Sequence, residues 1–420
     1  MLYDSLHQTP QYVDDGYPMI RVTDIRRGFV ETKGAVRVDE ETYLQFSKKH
    51  KPQVGDILFS RVGSYGNSAY VNRNEEFCLG QNTVCISPEH SRIQPNFLYF
   101  ALNSDDLRNQ IESLVGGASQ GTISLKNIRK LQVPLPPLPE QRLIAGILSA
   151  YDELIENNQQ RIRILEEMAR SLYREWFVHF RYPGHESVLL VDSPLGQIPQ
   201  GWEVKALGEL MLEQIGGGWG KDVPDEKHTE PAWVIRGTDI PDARSCQVAD
   251  VPHRFHSVSN LRSRRLQAGN IIFEVSGGSK GQPVGRTLLV TPQLLSALGD
   301  EAVICASFCK RICPDMPGYG SELLYLSFLE GYESGEIEQF QVQSTGISNF
   351  KWTEYLEKIT RVISPESVRM RFRDLVKPML SQAATLGLQT ANLRRTRDLL
   401  LPRLLSGQVV LNSNIKEELT

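Results

Sequence analysis

Two polar segments of this chain carry the residue types that meet nucleic-acid surfaces. Ser60 to Tyr70 (SRVGSYGNSAY) and Glu274 to Arg286 (EVSGGSKGQPVGR) combine three things: Gly for close backbone approach, short hydroxyl and amide side chains that match base edges, and cations that match phosphates. The candidates in the first are Arg61, Ser64, Tyr65 and Asn67, and in the second Ser276, Ser279, Lys280, Gln282 and Arg286. Gln81, Asn82 and Lys126, and later Lys351, lie near other segments that recur along the chain. Tyr65 and Trp219 offer flat rings on which a base stacks, although each ring type is more often a packing residue. Lys48, Lys49 and Lys51 and the trio Arg262, Arg264 and Arg265 add local charge, but a charge run is usually a solvated face. Either loop alone reads as a solvated hairpin. Its return after a repeated strand weakens that bland reading.

The elements that must position these loops occur twice. Ile20-Arg21-Val22-Thr23-Asp24-Ile25 returns as Ile235-Arg236-Gly237-Thr238-Asp239-Ile240, and Gly55-Asp56-Ile57-Leu58-Phe59 returns as Gly269-Asn270-Ile271-Ile272-Phe273. Gly121-Thr122-Ile123-Ser124 and Gly346-Ile347-Ser348 are a third echo, and Pro139-Glu140 and Pro365-Glu366 then open two long helical patterns. A tandem module-plus-helix repeat predicts a pseudo-two-fold molecule suited to a ligand with two halves.

Each module, residues 1–133 and 182–364, reads as β-rich with some helix, because short Val/Ile/Phe/Tyr runs are punctuated by Gly, Asn and Ser. A helix over Phe97 to Ile111 is expected inside the first. The stiff linker Pro134 to Pro139 places Pro139 and Glu140 at a helix start. From there a spacer helix covers 134–181, with Ile144, Ile147, Tyr151, Leu154, Asn158, Ile162, Leu165, Ala169, Leu172 and Trp176 on a coiled-coil seam. At about 1.5 Å per residue it spans on the order of 60 Å. A second such helix covers Glu366 to about Ser406 within 365–420, its seam being Val368, Phe372, Leu375, Met379, Leu386, Leu393 and Leu400, and Pro378 and Gly387 are expected to kink or break it. The turns after Leu165 match those after Leu393, which suggests antiparallel pairing. The bland alternative is that each seam packs only on its own module.

Composition excludes little. With 46 Lys and Arg against 50 Asp and Glu the formal charge is -4, which argues against a broadly basic coat but not against a local basic strip. Mean hydropathy is -0.30, no segment approaches the roughly 20 apolar residues of a membrane span, and no signal segment opens the chain, so the cytoplasm is expected. Cys305, Cys309 and Cys313 recur every four residues and are read as buried thiols rather than metal ligands, and His253 and His256 lack an acidic partner that would complete a metal set. No metal and no cofactor is expected on the chain itself. It lacks a phosphate-binding GxxxxGK[ST], a GxSxG elbow, the Asn/Asp-Pro-Pro-aromatic or Pro-Cys motif of DNA methyltransferases, and a PD…(D/E)xK nuclease set. Glu31-Thr32-Lys33 and Asp225-Glu226-Lys227 supply only the second half of the last. The chain reads as a binder, not an enzyme.

Three segments, Pro134 to Phe177 (PLPPLPEQRLIAGILSAYDELIENNQQRIRILEEMARSLYREWF), Leu195 to Leu210 (LGQIPQGWEVKALGEL) and Leu393 to Val409 (LRRTRDLLLPRLLSGQV), together resemble the specificity subunits of type I restriction-modification systems. The resemblance covers essentially the whole chain. It implies an α+β fold in which two target-recognition domains, each reading one half of a bipartite double-stranded DNA site, are separated by two antiparallel helices acting as a ruler. It also implies partners: two methyltransferase subunits that use S-adenosylmethionine, and motor-nuclease subunits that use ATP and Mg. The first module departs from the second by having less chain before its Ile20 motif, and so less from which to build an edge strand. Alternatives are the specificity chain of another defence methylation system, a single-chain DNA-modifying enzyme, and a coiled-coil scaffold that binds only protein.

Overall fold

Both copies of each repeated motif fold as the same turn. In the first, the Arg21 main-chain N–H and its Nε donate to Asp24 Oδ2 at 2.9 and 3.1 Å; in the second, the same atoms of Arg236 donate to Asp239 Oδ2 at 2.8 and 2.9 Å. The aspartate thus fixes the 3-10 turns Val22–Asp24 and Gly237–Asp239 while holding the arginine beside them. The other motif closes when Gln53 N donates to Asp56 Oδ2 and Gln267 N to Asn270 Oδ1, both at 2.9 Å. Gly55 and Gly269 sit between at φ 98° and 90°, a region in which any side chain is strained. Each turn then launches a fully buried strand, Ile57–Ser60 or Ile271–Glu274.

The computed structural model describes residues 1–116, 121–277, 283–315, 318–344 and 347–409. They form two compact units, Met1–Leu154 with the chain from Leu393 on, and Ile155–Asn392. In the first unit β1 (Leu2–Asp4), β4 (Ile57–Ser60), β5 (Ser68–Tyr70) and β7 (Thr83–Ile86) make an antiparallel sheet in the order β1-β7-β4-β5, while β2 (Tyr17–Ile20), β3 (Val36–Val38) and β6 (Cys78–Leu79) make a sheet ordered β3-β2-β6 with β2 and β6 parallel. The short lead-in therefore still supplies an edge strand. In the second unit β11 (Met211–Gly216), β14 (Ile271–Glu274), β16 (Thr287–Leu289) and β18 (Cys309–Pro314) repeat the first order as β11-β18-β14-β16. There β12 (Glu230–Ile235), β13 (His253–His256) and β17 (Ala302–Cys305) repeat the second as β13-β12-β17, with β12 and β17 parallel. Register repeats too: Phe59 faces Ser68 as Phe273 faces Thr287, and Ile57 faces Ile86 as Ile271 faces Ile312. The second unit adds a hairpin of β8 (Leu190–Ser193) and β9 (Gly196–Pro199), and a pair of β10 (Glu203–Ala206) with β21 (Thr360–Ile363). It also adds a sheet in which β20 (Ile347–Phe350) lies between β15 (Ser276–Gly277) and β19 (Gln341–Ser344).

The long helices are Leu138–Tyr173, continued by a π turn over Arg174–Val178, and Glu366–Leu405. Within the first unit Ile144, Ala145 and Leu148 share a core with Leu401 and Leu404, and buried Asp152 pairs with buried Arg397. Within the second, Ile162 packs on Ala383 and Leu386, and Tyr173, Trp176 and Phe177 surround Phe372. In both units the two helix segments run antiparallel. The seam differs from the expected one at specific steps. Leu154 is 54% exposed and Leu375 44%, and their places are taken by Ile155 and Val376. The true path runs Leu148, Asp152, Ile155, and a search for apolar residues misses it because the middle member is a carboxylate neutralised by Arg397. Nor does Gly387 break its helix: a Cβ there would lie 2.8 Å from the Ser245 carbonyl, so the glycine serves close packing. The single helix expected over Phe97 to Ile111 is two, Pro95–Leu102 and Asp105–Leu114, because Ser104 caps the second by accepting a hydrogen bond from Leu107 N.

Candidate nucleic-acid interface

In the second unit, β12 ends at the Arg236-Gly237-Thr238 turn, β14 ends at Glu274, and β17 runs into Ala306-Ser307-Phe308. These three strand ends, with Ser276, Gly277, Arg286 and Trp219, line a cavity of about 620 Å³. Glu274 lies almost wholly buried in its wall, side chain 2% exposed, and Arg286 donates to both its oxygens, Nε to Oε2 at 2.8 Å and Nη2 to Oε1 at 2.5 Å. That pairing raises the Arg286 pKa. Trp219 and Phe308 are large rings left substantially exposed, and the Arg254 guanidinium lies 4.3 Å from the Trp219 ring centre.

The corresponding place in the first unit is built differently. A separate cavity of the first unit, about 210 Å³, is lined by Tyr65, Gly66, Asn67, Arg108, Ile111 and Glu112, of which only Asn67 is the counterpart of a residue lining the second unit's cavity. Ser60 stands where the second unit has Glu274, and its Oγ is buried without a partner among the described residues. Arg61 turns inward, donating from Nη1 to Asp4 Oδ1 at 2.8 Å and from Nε to the Ile123 carbonyl at 3.2 Å. It braces the sheet edge. Ser64 is exposed, Tyr65 packs over Gly121, and Asn67 reaches the Ile25 carbonyl at 3.5 Å.

The remaining candidates scatter. Gln81 is exposed and accepts a hydrogen bond from Thr9 at 3.3 Å, while Asn82 holds a left-handed φ of 65° and its carbonyl accepts from Arg61 N. Lys126 is exposed on the short helix Leu125–Ile128. Lys351 caps the helix Trp352–Lys358 and lies 3.2 Å from Glu354. Ser276 donates to Asn349 Oδ1 at 2.8 Å. Ser279, Lys280 and Gln282 fall outside the described residues. The structure therefore brings Ser276 and Arg286 to one cavity and Tyr65 and Asn67 to another, and leaves Arg61, Gln81, Asn82, Lys126 and Lys351 away from both. Sequence reasoning missed Arg236, Gly237, Glu274 and Phe308 as lining residues. The repeated IRxTDI motif was the signal for the first two, read only as a mark of duplication.

Of the groups with metal-ligating atoms, His50, Asp56 and Cys85 converge in the first unit. Asp56 Oδ2 accepts from His50 Nε2 at 2.5 Å, from Gln53 N and from the Cys85 thiol at 3.4 Å. Burial pushes that thiol pKa well up, and through Gln53 N the trio braces the Gly55 turn. Cys305 and Cys309 are buried on β17 and β18, and burial pushes the Cys305 thiol up to about 12. His253 and His256 lie on a strand, not a helix, and His253 pairs with Glu301 at 2.6 Å.

Two copies of one sheet framework, each presenting polar loops at its strand ends, define a protein built from two like modules. Residues 7–167 match the type I restriction modification DNA specificity domain. The specificity subunit of the type I restriction enzyme MjaIX from Methanocaldococcus jannaschii is 24% identical over 381 residues, covering 90% of this chain and 83% of that one. The HindI specificity subunit from Haemophilus influenzae is 21% identical over 416 residues, 84% and 86% of the two chains. In fold, the chain is similar to the S subunit of a type I restriction-modification system from M. genitalium, with a TM-score of 0.54 and 14% identity over 96% of this chain and 93% of that one. Over most of its length this chain is thus similar to the specificity subunits of type I restriction-modification systems.

Proposed function

We propose that each unit reads one half of a bipartite double-stranded DNA target, and that the chain performs no catalysis of its own. The observation that carries this is the duplicated sheet pair with unlike strand-end chemistry: one framework conserved for positioning, two reading surfaces for two different half-sites. Two methyltransferase subunits dock on the chain and bring S-adenosylmethionine, and motor-nuclease subunits bring ATP and Mg. The setting is the cytoplasm; among the described residues no helix is long and apolar enough to cross a membrane. The long helices set the unread gap, so inserting one or two turns between Leu154 and Leu165 changes the gap while both half-sites stay the same. Selection of the same gap by the lengthened chain would sink the ruler.

Modified-base sequencing of a host carrying this chain with its methyltransferase partner, against the partner alone, tests the whole reading. Two short half-sites around a fixed gap, methylated only when this chain is present, are expected. No new motif, with both proteins assembled, favours the protein-only scaffold. That alternative also lacks the steep salt dependence expected of DNA affinity.

A further inference from the structure

We propose that the second unit's cavity reads one base pair through Glu274 and Arg286, with Glu274 requiring a base that carries an exocyclic amino group, adenine or cytosine. This rests on the DNA-reading function above.

The first unit is the internal control. By strand register Ser60 corresponds to Glu274 and Asn67 to Arg286, and the same main-chain bond joins each pair, Ser60 N to Asn67 O at 2.9 Å and Glu274 N to Arg286 O at 3.0 Å. The framework therefore closes without any ion pair. By the repeated motif Val22 corresponds to Gly237, so the 3-10 turn does not demand glycine either. Gly237 is glycine for another reason: a Cβ there would sit 2.7 Å from the Glu274 carboxyl carbon. On another side Gly277, at φ 128°, leaves a Cβ position only 3.1 Å from Glu274 Oε1. Val22, Ser60 and Asn67 have changed together to Gly237, Glu274 and Arg286, and the change makes room for a carboxylate that the fold does not need. Burying an ion pair is a poor route to stability; burying one in a cavity wall under exposed rings is a route to recognition.

The chemistry sets the ligand. An ionised carboxylate only accepts, so it pairs with adenine N6 or cytosine N4 and repels guanine O6 and thymine O4. Arg286 spends Nε and Nη2 on Glu274, which locks the guanidinium plane; Nη1 has no protein acceptor among the described residues and is left to donate to the O4 or O6 that lies beside the amino group on the same base-pair edge.

The test uses the full complex in the host and Glu274→Gln, which keeps the shape but adds a donor. In the wild type one position of the second half-site is expected to be restricted to adenine or cytosine. Glu274→Gln then raises methylation of sites bearing guanine or thymine there about tenfold relative to wild type, with the first half-site and all other positions unchanged. A bipartite motif that Glu274→Gln leaves unaltered overturns this inference alone; a wild-type complex that leaves no bipartite motif overturns the DNA-reading function as well. Should the variant fail to fold, the wild-type complex suffices. Replacing the restricted base in a synthetic duplex by its analogue lacking the amino group is expected to slow methylation about tenfold, and an unchanged rate overturns the inference.

Discussion

The strand ends of the two units share a backbone and differ in charge. In the first, Val22, Ser60 and Asn67 fill the space with neutral groups, and Ser60 Oγ is buried without a protein partner among the described residues. In the second, Gly237, Glu274 and Arg286 fill it with an ion pair in the wall of a cavity of about 620 Å³. Since the turns, strand order and register are the same, the scaffold tolerates either solution. The difference teaches that Asp24, Gly55 and Asp56 with their counterparts hold the frame, while the strand-end residues between them can differ in charge without altering it.

The sharpest break in the comparison is Glu274→Ala, which strands Arg286 beside the cavity and costs about 3–5 kcal/mol. A large fall in the denaturant midpoint of the second unit is expected, and a loss below about 1 kcal/mol would mean that Arg286 finds solvent instead. Next come Asp24→Ala and Asp239→Ala. Each removes the acceptor of a main-chain and a guanidinium hydrogen bond, so each is expected to cost about 1–2 kcal/mol. Equal losses in the two separate variants, read from urea midpoints, sharpen the claim that both turns are one device; losses differing severalfold break it. The smallest effect belongs to Ser60→Ala. With its hydroxyl unpartnered, stability is expected to stay within about 0.5 kcal/mol, in contrast to the counterpart position, and a larger loss would reveal a bridging water.

The legible part of this molecule was its repetition. Motifs built on a turn-forcing glycine and a short-range carboxylate or amide, such as Gly55-Asp56 and Gly269-Asn270, depend on neighbours three residues away, and both copies fold alike. The long helices were legible for the same reason, since their caps and periodicity are local. Errors fell where a distant partner decided the outcome. Asp152 lies on the seam against its own polarity because its charge is cancelled by Arg397, far along the chain. Gly387 reads as a break because nothing nearby in the sequence shows that Ser245 packs against it. Arg61 reads as a surface cation in the sequence because its partner Asp4 lies on another strand.

The sequence by itself determined that one α+β module occurs twice, each followed by a long helix, because tandem identity and turn chemistry are written in contiguous residues. Only the tertiary structure decided which polar residues face a cavity. Gly237, Glu274 and Arg286 come from three strand ends: register within one sheet sets Glu274 beside Arg286, and Gly237 reaches them from the neighbouring sheet. A buried carboxylate and its guanidinium choose each other by geometry that no spacing along the chain records.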